Sequence, residues 1–264
     1  MKKIIIYPFC KIFDSLIRAK AFPILLYHSI SDTPSRLAVP VNDFAAQIDW
    51  LAGQGYKTIS PADLLTDNVD GEKRVLITFD DGFQDNLANG LPILEQHGFT
   101  ATVFSSTDYI GQSSSFCHAP GDREFKMLSA AELGELKRNN WTIASHFASH
   151  RDLDELSAAE IREEYERASA ALAEITGELT VGAIVSYPHN RYNGQVIEFL
   201  KQAGVRLAFS GRIGFFAPGD DAYQIPRVEI DRTVNLGKFK LFLSPSYSWL
   251  KRKVYQREVK IVAA

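Results

Sequence analysis

Two adjacent carboxylates, Asp80 and Asp81, follow the unbroken apolar run Val75-Leu76-Ile77 in "VLITFDDGFQDN" (75–86) and precede a sharp turn at Gly82. Carboxylates this close raise one another's pKa and burial raises both, so the pair is costly unless a cation or a reaction uses it. A second stretch, "SHFASH" (145–150), carries His146 and His150 four residues apart, a spacing that a helical or tightly turned backbone brings to one side. Alone, that spacing is compatible with two unrelated surface histidines. Joined to an acid from another strand end, it matches a common catalytic zinc arrangement of two His and one carboxylate with a position left for water. A divalent cation would stabilise both acids, one as a ligand and the other as an ionised base. The competing reading is an acid pair at a helix N-terminus with no chemistry attached.

The elements around these residues alternate between strand and helix from residue 23 onward. "PILLYH" (23–28) reads as a strand. "NDFAAQIDWLAGQGY" follows as a helix with Phe44, Ile48 and Leu51 on one face. "KTIS" is a short strand, and "SPADLLTD" opens a helix with Ser60 as N-cap and Pro61 at its first position. The run to Phe79 is a buried strand, 84–97 a helix, and "TATVFSS" a strand. Ser129 with Glu132 and Ser157 with Glu160 are capping boxes that open two further helices. "WTIAS", "TVGAIVSY", "VRLAFS" and "YQIPRVEI" are strand-like, and "GQVIEFLKQAG" is helical. About seven such alternations predict an α/β fold, a parallel sheet closed as a (β/α) barrel. Active sites of such barrels gather at the C-terminal strand ends, which is where His28, Asp80, Asp81, His146, His150 and His189 fall. The irregular loop "GQSSSFCHAPGD" (111–122) is placed to flank a cleft. His97 reads as a partner for a helix C-terminus, and His118 as a loop residue.

The 264 residues, 45% hydrophobic and 23% charged, suit one barrel-sized domain, and a net charge of −3 disfavours nucleic-acid binding. Two cysteines, Cys10 and Cys117, exclude a disulfide framework or a multi-cysteine zinc site. Charge is segregated. Residues 1–22 carry five Lys/Arg against one Asp (net +4) and residues 238–264 seven against one Glu (net +6), which leaves −13 between them. The chain therefore divides into a basic apolar N-terminal segment (1–22), a barrel domain (23–237) and a basic aromatic C-terminal tail (238–264). Lys2, Lys3 and the Ile4–Ile6 run imitate a signal peptide, but Pro8 and Lys11 interrupt the apolar region, so a retained, cytoplasmic protein is expected and an exported one is the alternative. The two basic ends, with Phe239, Phe242, Tyr247 and Trp249 at headgroup level, predict peripheral contact with an anionic membrane. The alternative is that the terminal aromatics pack on the barrel.

"TFDDG", "SHFASH" and "SYPHN" together resemble the first three motifs of the polysaccharide deacetylases, carbohydrate esterase family 4, whose nodulation-protein-B homology fold is a distorted (β/α) barrel. The likeness covers about residues 23–232. It implies that Asp80 is the catalytic base, that Asp81, His146 and His150 hold a divalent metal, most often zinc, and that a backbone N–H near His189 meets the oxyanion. The chain departs from the family in three places. Phe147 stands where Ser or Thr often follows the first metal His. Ser186 stands where an Arg steadies the base, and Arg227 in "IPRVEID" is the candidate replacement, unless it is a surface residue. No His follows residue 189 to supply the general acid. "LLYH" (25–28) has the Leu-x-x-His pattern at the opposite end of the chain, as in the circularly permuted poly-N-acetylglucosamine deacetylase branch, which puts His28 in the acid's position. The resemblance implies metal-dependent removal of an N-acetyl group from an amino sugar in a glycan or a lipid-linked saccharide. A deformylase of a lipid-linked sugar and a sugar-binding pseudoenzyme are the alternatives.

Overall fold

The computed structural model describes residues 21–66, 73–178, 181–244 and 247. In chain order the elements are β1 (Ile24–Tyr27), β2 (Ser29–Ile30), β3 (Ala38–Val39), α1 (Val41–Gly53), β4 (Tyr56–Thr58), β5 (Lys73–Phe79), α2 (Leu91–Glu95), β6 (Thr102–Ser105), α3 (Ala130–Arg138), β7 (Thr142–Ser145), α4 (Ala158–Thr176), β8 (Ile184–Ser186), α5 (Gly194–Gln202), β9 (Leu207–Ile213), β10 (Ile225–Glu229) and α6 (Leu236–Phe242). The strands run in the order β1-β10-β9-β8-β7-β6-β5, every pairing parallel, and β1 also pairs with β5. Seven parallel strands thus close a barrel, as the alternation predicts. β4, the "KTIS" segment, lies outside the ring and pairs only with β5.

The strands lack polar alternation because both their faces are covered. Inside the barrel lie Ile24, Leu76, Phe104, Ala144, Leu207, Phe209 and Ile225. Outside, Leu25, Tyr27, Val75, Ile77 and Phe79 pack under the helices with Phe44, Ile48 and Leu51 of α1. Side chains of a strand alternate between faces. Leu76, Thr78 and Asp80 therefore share the inner face of β5, and Ile225, Arg227 and Glu229 share that of β10. Register then sets the height of the chemistry. Tyr27 pairs with Phe79, so His28 and Asp80 leave neighbouring strands at one level, and Ser105 pairs with Ser145 just before His146.

Both predicted capping boxes form. Ser129 Oγ and Ser157 Oγ accept from the backbone N–H groups of Glu132 and Glu160, whose carboxylates accept in return. Three local expectations differ from the structure. The segment after Ser60 is a single 3₁₀ stretch, Pro61–Leu65. The helix expected over 84–97 is a π-helical stretch, Asn86–Gly90, continued by α2. His97 lies beyond that helix and contacts Asp49 Oδ1 at 2.7 Å, a side-chain partner instead of a helix terminus.

At the C-terminal side, the boundary drawn at 237/238 falls inside α6, and Phe239 on that helix is fully buried edge-to-face on Trp50. Phe239 therefore belongs to the core and is removed from the set of headgroup aromatics. Residues 1–20, Cys10 among them, and Trp249 lie outside the described residues. Among the described residues no helix is long and apolar enough to cross a membrane.

Candidate active site

The sharp turn after β5 is built by backbone that few residues tolerate. Asp81 has φ +72° and Gly82 φ +92°, and a Cβ on Gly82 would stand 3.0 Å from Ser105 Oγ. Phe147 (φ +61°), His150 (+57°), His189 (+53°) and Asn190 (+57°) are also left-handed, so the strain concentrates in the three motif turns. His146 and His150 are accordingly brought together by a tight irregular turn, with no helix between them.

Asp80 is almost wholly buried and fully engaged on one side. Arg227 Nη1 donates to its Oδ1 at 2.7 Å and Nη2 to its Oδ2 at 2.8 Å, a bidentate pair. Ser186 Oγ donates to Oδ2 at 3.0 Å and itself accepts from Arg227 Nη2 at 2.8 Å. Arg227 is anchored in turn on the Ser210 carbonyl and on Thr78. Only 2% of Arg227 is exposed, which overturns the surface reading of this residue. The guanidinium that the third motif lacks is thus delivered across the barrel interior from β10, and the small Ser186 leaves room for it. Burial alone would raise the Asp80 carboxyl, but Arg227 and His146 hold it below its ordinary value.

Asp81 faces the two histidines. His150 Nε2 stands 3.0 Å and His146 Nε2 3.4 Å from Asp81 Oδ1, and ligand atoms of the three residues lie within 4.8 Å of one another. Asp81 Oδ1 is buried without a hydrogen-bond partner, and so, on the far side of the His150 ring, is Nδ1. His146 Nδ1 sits 2.9 Å from the Ser186 carbonyl, which can only accept, so Nδ1 carries the proton and the Nε2 lone pair points at Asp81. Burial lowers the pKa of His146 to about 4, so at neutral pH that lone pair is free. Burial would raise Asp81, but the surrounding His150, His28 and His146 draw it well below the usual carboxylate range. A buried carboxylate, two imidazoles and orphaned polar atoms at one point fit a divalent cation.

All six predicted residues, His28, Asp80, Asp81, His146, His150 and His189, line one cleft of about 750 Å³ at the C-terminal strand ends. The 111–122 loop does flank it, through Phe116, Cys117, His118, Ala119 and Asp122, and the Phe116 ring centroid lies 4.4 Å from that of His150. Burial, with the nearby Asp81, pushes the Cys117 thiol up to about 12. His189 is oriented by Asp152, Nδ1 to Oδ1 2.6 Å, with its ring edge-on to His150.

Two contributors escaped sequence reasoning. Ser186 registers there only as a missing Arg. Glu164 in "EEYER" looks like a solvated helix acid, yet it is buried and accepts from the N–H groups of Ala148 and Ser149 and from Ser149 Oγ. It braces the turn that the Phe147 side chain, packed in one apolar cluster with Leu153, Ile161 and Tyr187, cannot brace by hydrogen bonding. Helix phase was the available signal, since Ile161, Glu164, Ala168 and Leu172 share the buried face of α4.

Known proteins share this fold and part of this sequence. The chain is 30% identical over 225 residues to YxkH of Bacillus subtilis (strain 168), a protein named for the polysaccharide deacetylases, covering 84% of this chain and 75% of that one. It is 24% identical over 222 residues to the poly-beta-1,6-N-acetyl-D-glucosamine N-deacetylase of Staphylococcus aureus (strain MRSA252), covering 78% and 72%. In fold it matches IcaB from Ammonifex degensii, with TM-score 0.71, 23% identity and coverage of 88% of this chain and 98% of that one. The family model for polysaccharide deacetylase matches residues 67–208, more than half of the sequence, including the turns that bear Asp80, Asp81, His146, His150 and His189. The chain belongs to the polysaccharide deacetylase family.

Proposed function

We propose that this protein is a metal-dependent N-deacetylase that hydrolyses the N-acetyl group of an amino sugar in a glycan, with Asp81, His146 and His150 as the metal ligands and zinc as the favoured ion. The observation that carries the reading is the pairing of opposites on adjacent residues: Asp80 held through both oxygens by Arg227 and Ser186, Asp81 among imidazoles with an unpartnered oxygen. An ion held there supplies Lewis acidity, making water easier to ionise near neutral pH and polarising the amide carbonyl.

The protein's own groups do the rest. Asp80 takes the proton of the attacking water. A carboxylate has about four lone-pair sites, and Arg227 and Ser186 occupy one on Oδ1 and two on Oδ2, so Oδ1 keeps the free one. A backbone N–H near His189 meets the charge that develops on the amide oxygen. His28, on the cleft wall level with Asp80, gives the departing amine its proton. The products are acetate and a free amino sugar. The name of the Staphylococcus aureus relative supports β-1,6-linked N-acetylglucosamine as the first polymer to try.

Incubation with N-acetylglucosamine oligomers should release acetate, and Asp80→Asn should not. Release at equal rates from both proteins would refute the assignment. His28→Ala should lower kcat by about 10²–10⁴, the usual worth of a positioned acid.

The charge split supports a second element of the reading, peripheral attachment to an anionic membrane surface on the cytoplasmic side, where a lipid-linked saccharide would be the substrate. In flotation, full-length protein should bind anionic vesicles and leave them at high salt, while residues 21–244, which keep α6 whole, should not. Equal behaviour of the two would remove this element and leave the deacetylase.

A further inference from the structure

The stretch "FQDN" that follows the two acids has no part in the chemistry described so far, yet it is tied to the strand end that carries His28. Asn86, fully buried, donates from Nδ2 to the His28 carbonyl at 2.7 Å. Asp85 accepts from Ser29 Oγ at 2.6 Å, from the Ile30 N–H at 3.0 Å and from Asn86 Nδ2 at 3.1 Å. Asn89 Nδ2 donates to the Ile30 carbonyl at 2.8 Å. Three polar side chains of one turn thus hold three consecutive residues, 28–30. Asn86 and Asn89 lie in the π-helical stretch Asn86–Gly90, and Asp85 immediately precedes it.

Burial raises the Asp85 carboxyl even though Ser29, Ile30 and Asn86 donate to it, so its place there carries a cost that an exposed acid would avoid. Among the described residues the His28 imidazole makes no hydrogen bond of its own, so its backbone is what fixes it.

We propose that Asp85 and Asn86 are positioning residues for His28, so that the turn bearing Asp80 and Asp81 also sets where the proton donor stands. Base, first ligand and acid are then referenced to one short segment, 80–86, although His28 is 52 residues before Asp80 in the sequence. A donor displaced by about 1 Å loses on the order of 10²-fold in rate, which is the scale of effect this tether protects. The inference rests on the reading of His28 as the acid.

The test compares two leaving groups. An N-acetylglucosamine oligomer needs a proton on its departing amine, whereas 4-nitrophenyl acetate expels a phenolate that does not. In the metal-loaded full chain, Asp85→Asn and Asn86→Ala should lower kcat on the oligomer by about 10- to 100-fold. Ester hydrolysis and metal content should stay near those of the parent. Added to His28→Ala, neither substitution should lower oligomer turnover further, because both act through the same group. Parallel loss on ester and oligomer, or losses that multiply with His28→Ala, would overturn the proposal. If Asn86→Ala does not fold, Ser29→Ala and Asp85→Asn carry the same comparison. Full oligomer turnover by His28→Ala would refute the acid reading alone. The tether is then judged by the His28 ring resonance in NMR, which must shift in Asp85→Asn, and an unchanged resonance would overturn it.

Discussion

Asp80 and Asp81 are neighbours in sequence and equally buried, yet the two halves of the site they anchor are built on opposite principles. On the Asp80 side both carboxylate oxygens have partners, and so does the guanidinium that holds them. A bidentate guanidinium, a serine hydroxyl, a threonine and a backbone carbonyl form a closed network around one carboxylate. On the Asp81 side polar atoms converge without being satisfied. A closed network keeps a charge where it is, while an unsatisfied one is a place for something else to bind. The left-handed backbone at Asp81 is what separates the two, since it turns consecutive side chains into different surroundings.

Several substitutions would break or sharpen this contrast. The largest effect is expected from Asp80→Asn, which should abolish measurable acetate release while the metal stays bound, because only the base is lost. A variant that loses the metal as well would show that the halves are not separate. Arg227→Met comes next. It leaves Asp80 buried without its cation, and breaking such a pair costs about 3–5 kcal/mol of stability, readable by denaturant unfolding. The sign for activity follows from the same loss. Without Arg227 the Asp80 pKa rises, so the acid limb of the kcat/KM profile should move to higher pH. A limb that stays in place would free Asp80 from that role.

Glu164→Gln acts on the other half only. It weakens the brace on Ala148 and Ser149, so metal affinity should fall about 10-fold or somewhat more, as for other groups that orient ligands, and the Asp80 limb of the profile should not move. The smallest effect concerns metal-free protein. The unfolded chain protonates His146 below about 6.5, whereas the folded chain resists until about 4. Stability is therefore fully present above 6.5 and declines as pH falls through that window, and Tm should follow. His146→Gln should make the decline shallower.

The barrel was legible because its strands are apolar without alternation and its helices announce their starts with Ser129/Glu132 and Ser157/Glu160. The three motif turns were legible as residue types, and Arg227 as a candidate. What local sequence does not carry is which side chain crosses the barrel interior. Nothing near Arg227 indicates that it reaches Asp80, 147 residues away, because that contact depends on strand order and inner-face parity. Glu164 was hidden by its own neighbours, since Glu163 and Glu166 on the same helix are exposed and set the expectation for the run. His97 and the 84–97 helix were misjudged for a related reason. Propensity favours a plain helix there, and local sequence does not show the tertiary bonds of Asp85, Asn86 and Asn89 that accompany the π winding.

Metal content tests the central claim most directly. Purified protein loaded with zinc and then desalted should carry about one ion per chain by elemental analysis. Asp80→Asn should carry the same, and His146→Ala should carry none while its circular dichroism stays that of the parent. A His146→Ala protein that retains its metal, or a parent protein that takes up none, would contradict the assignment of Asp81, His146 and His150 and the division of the site described here.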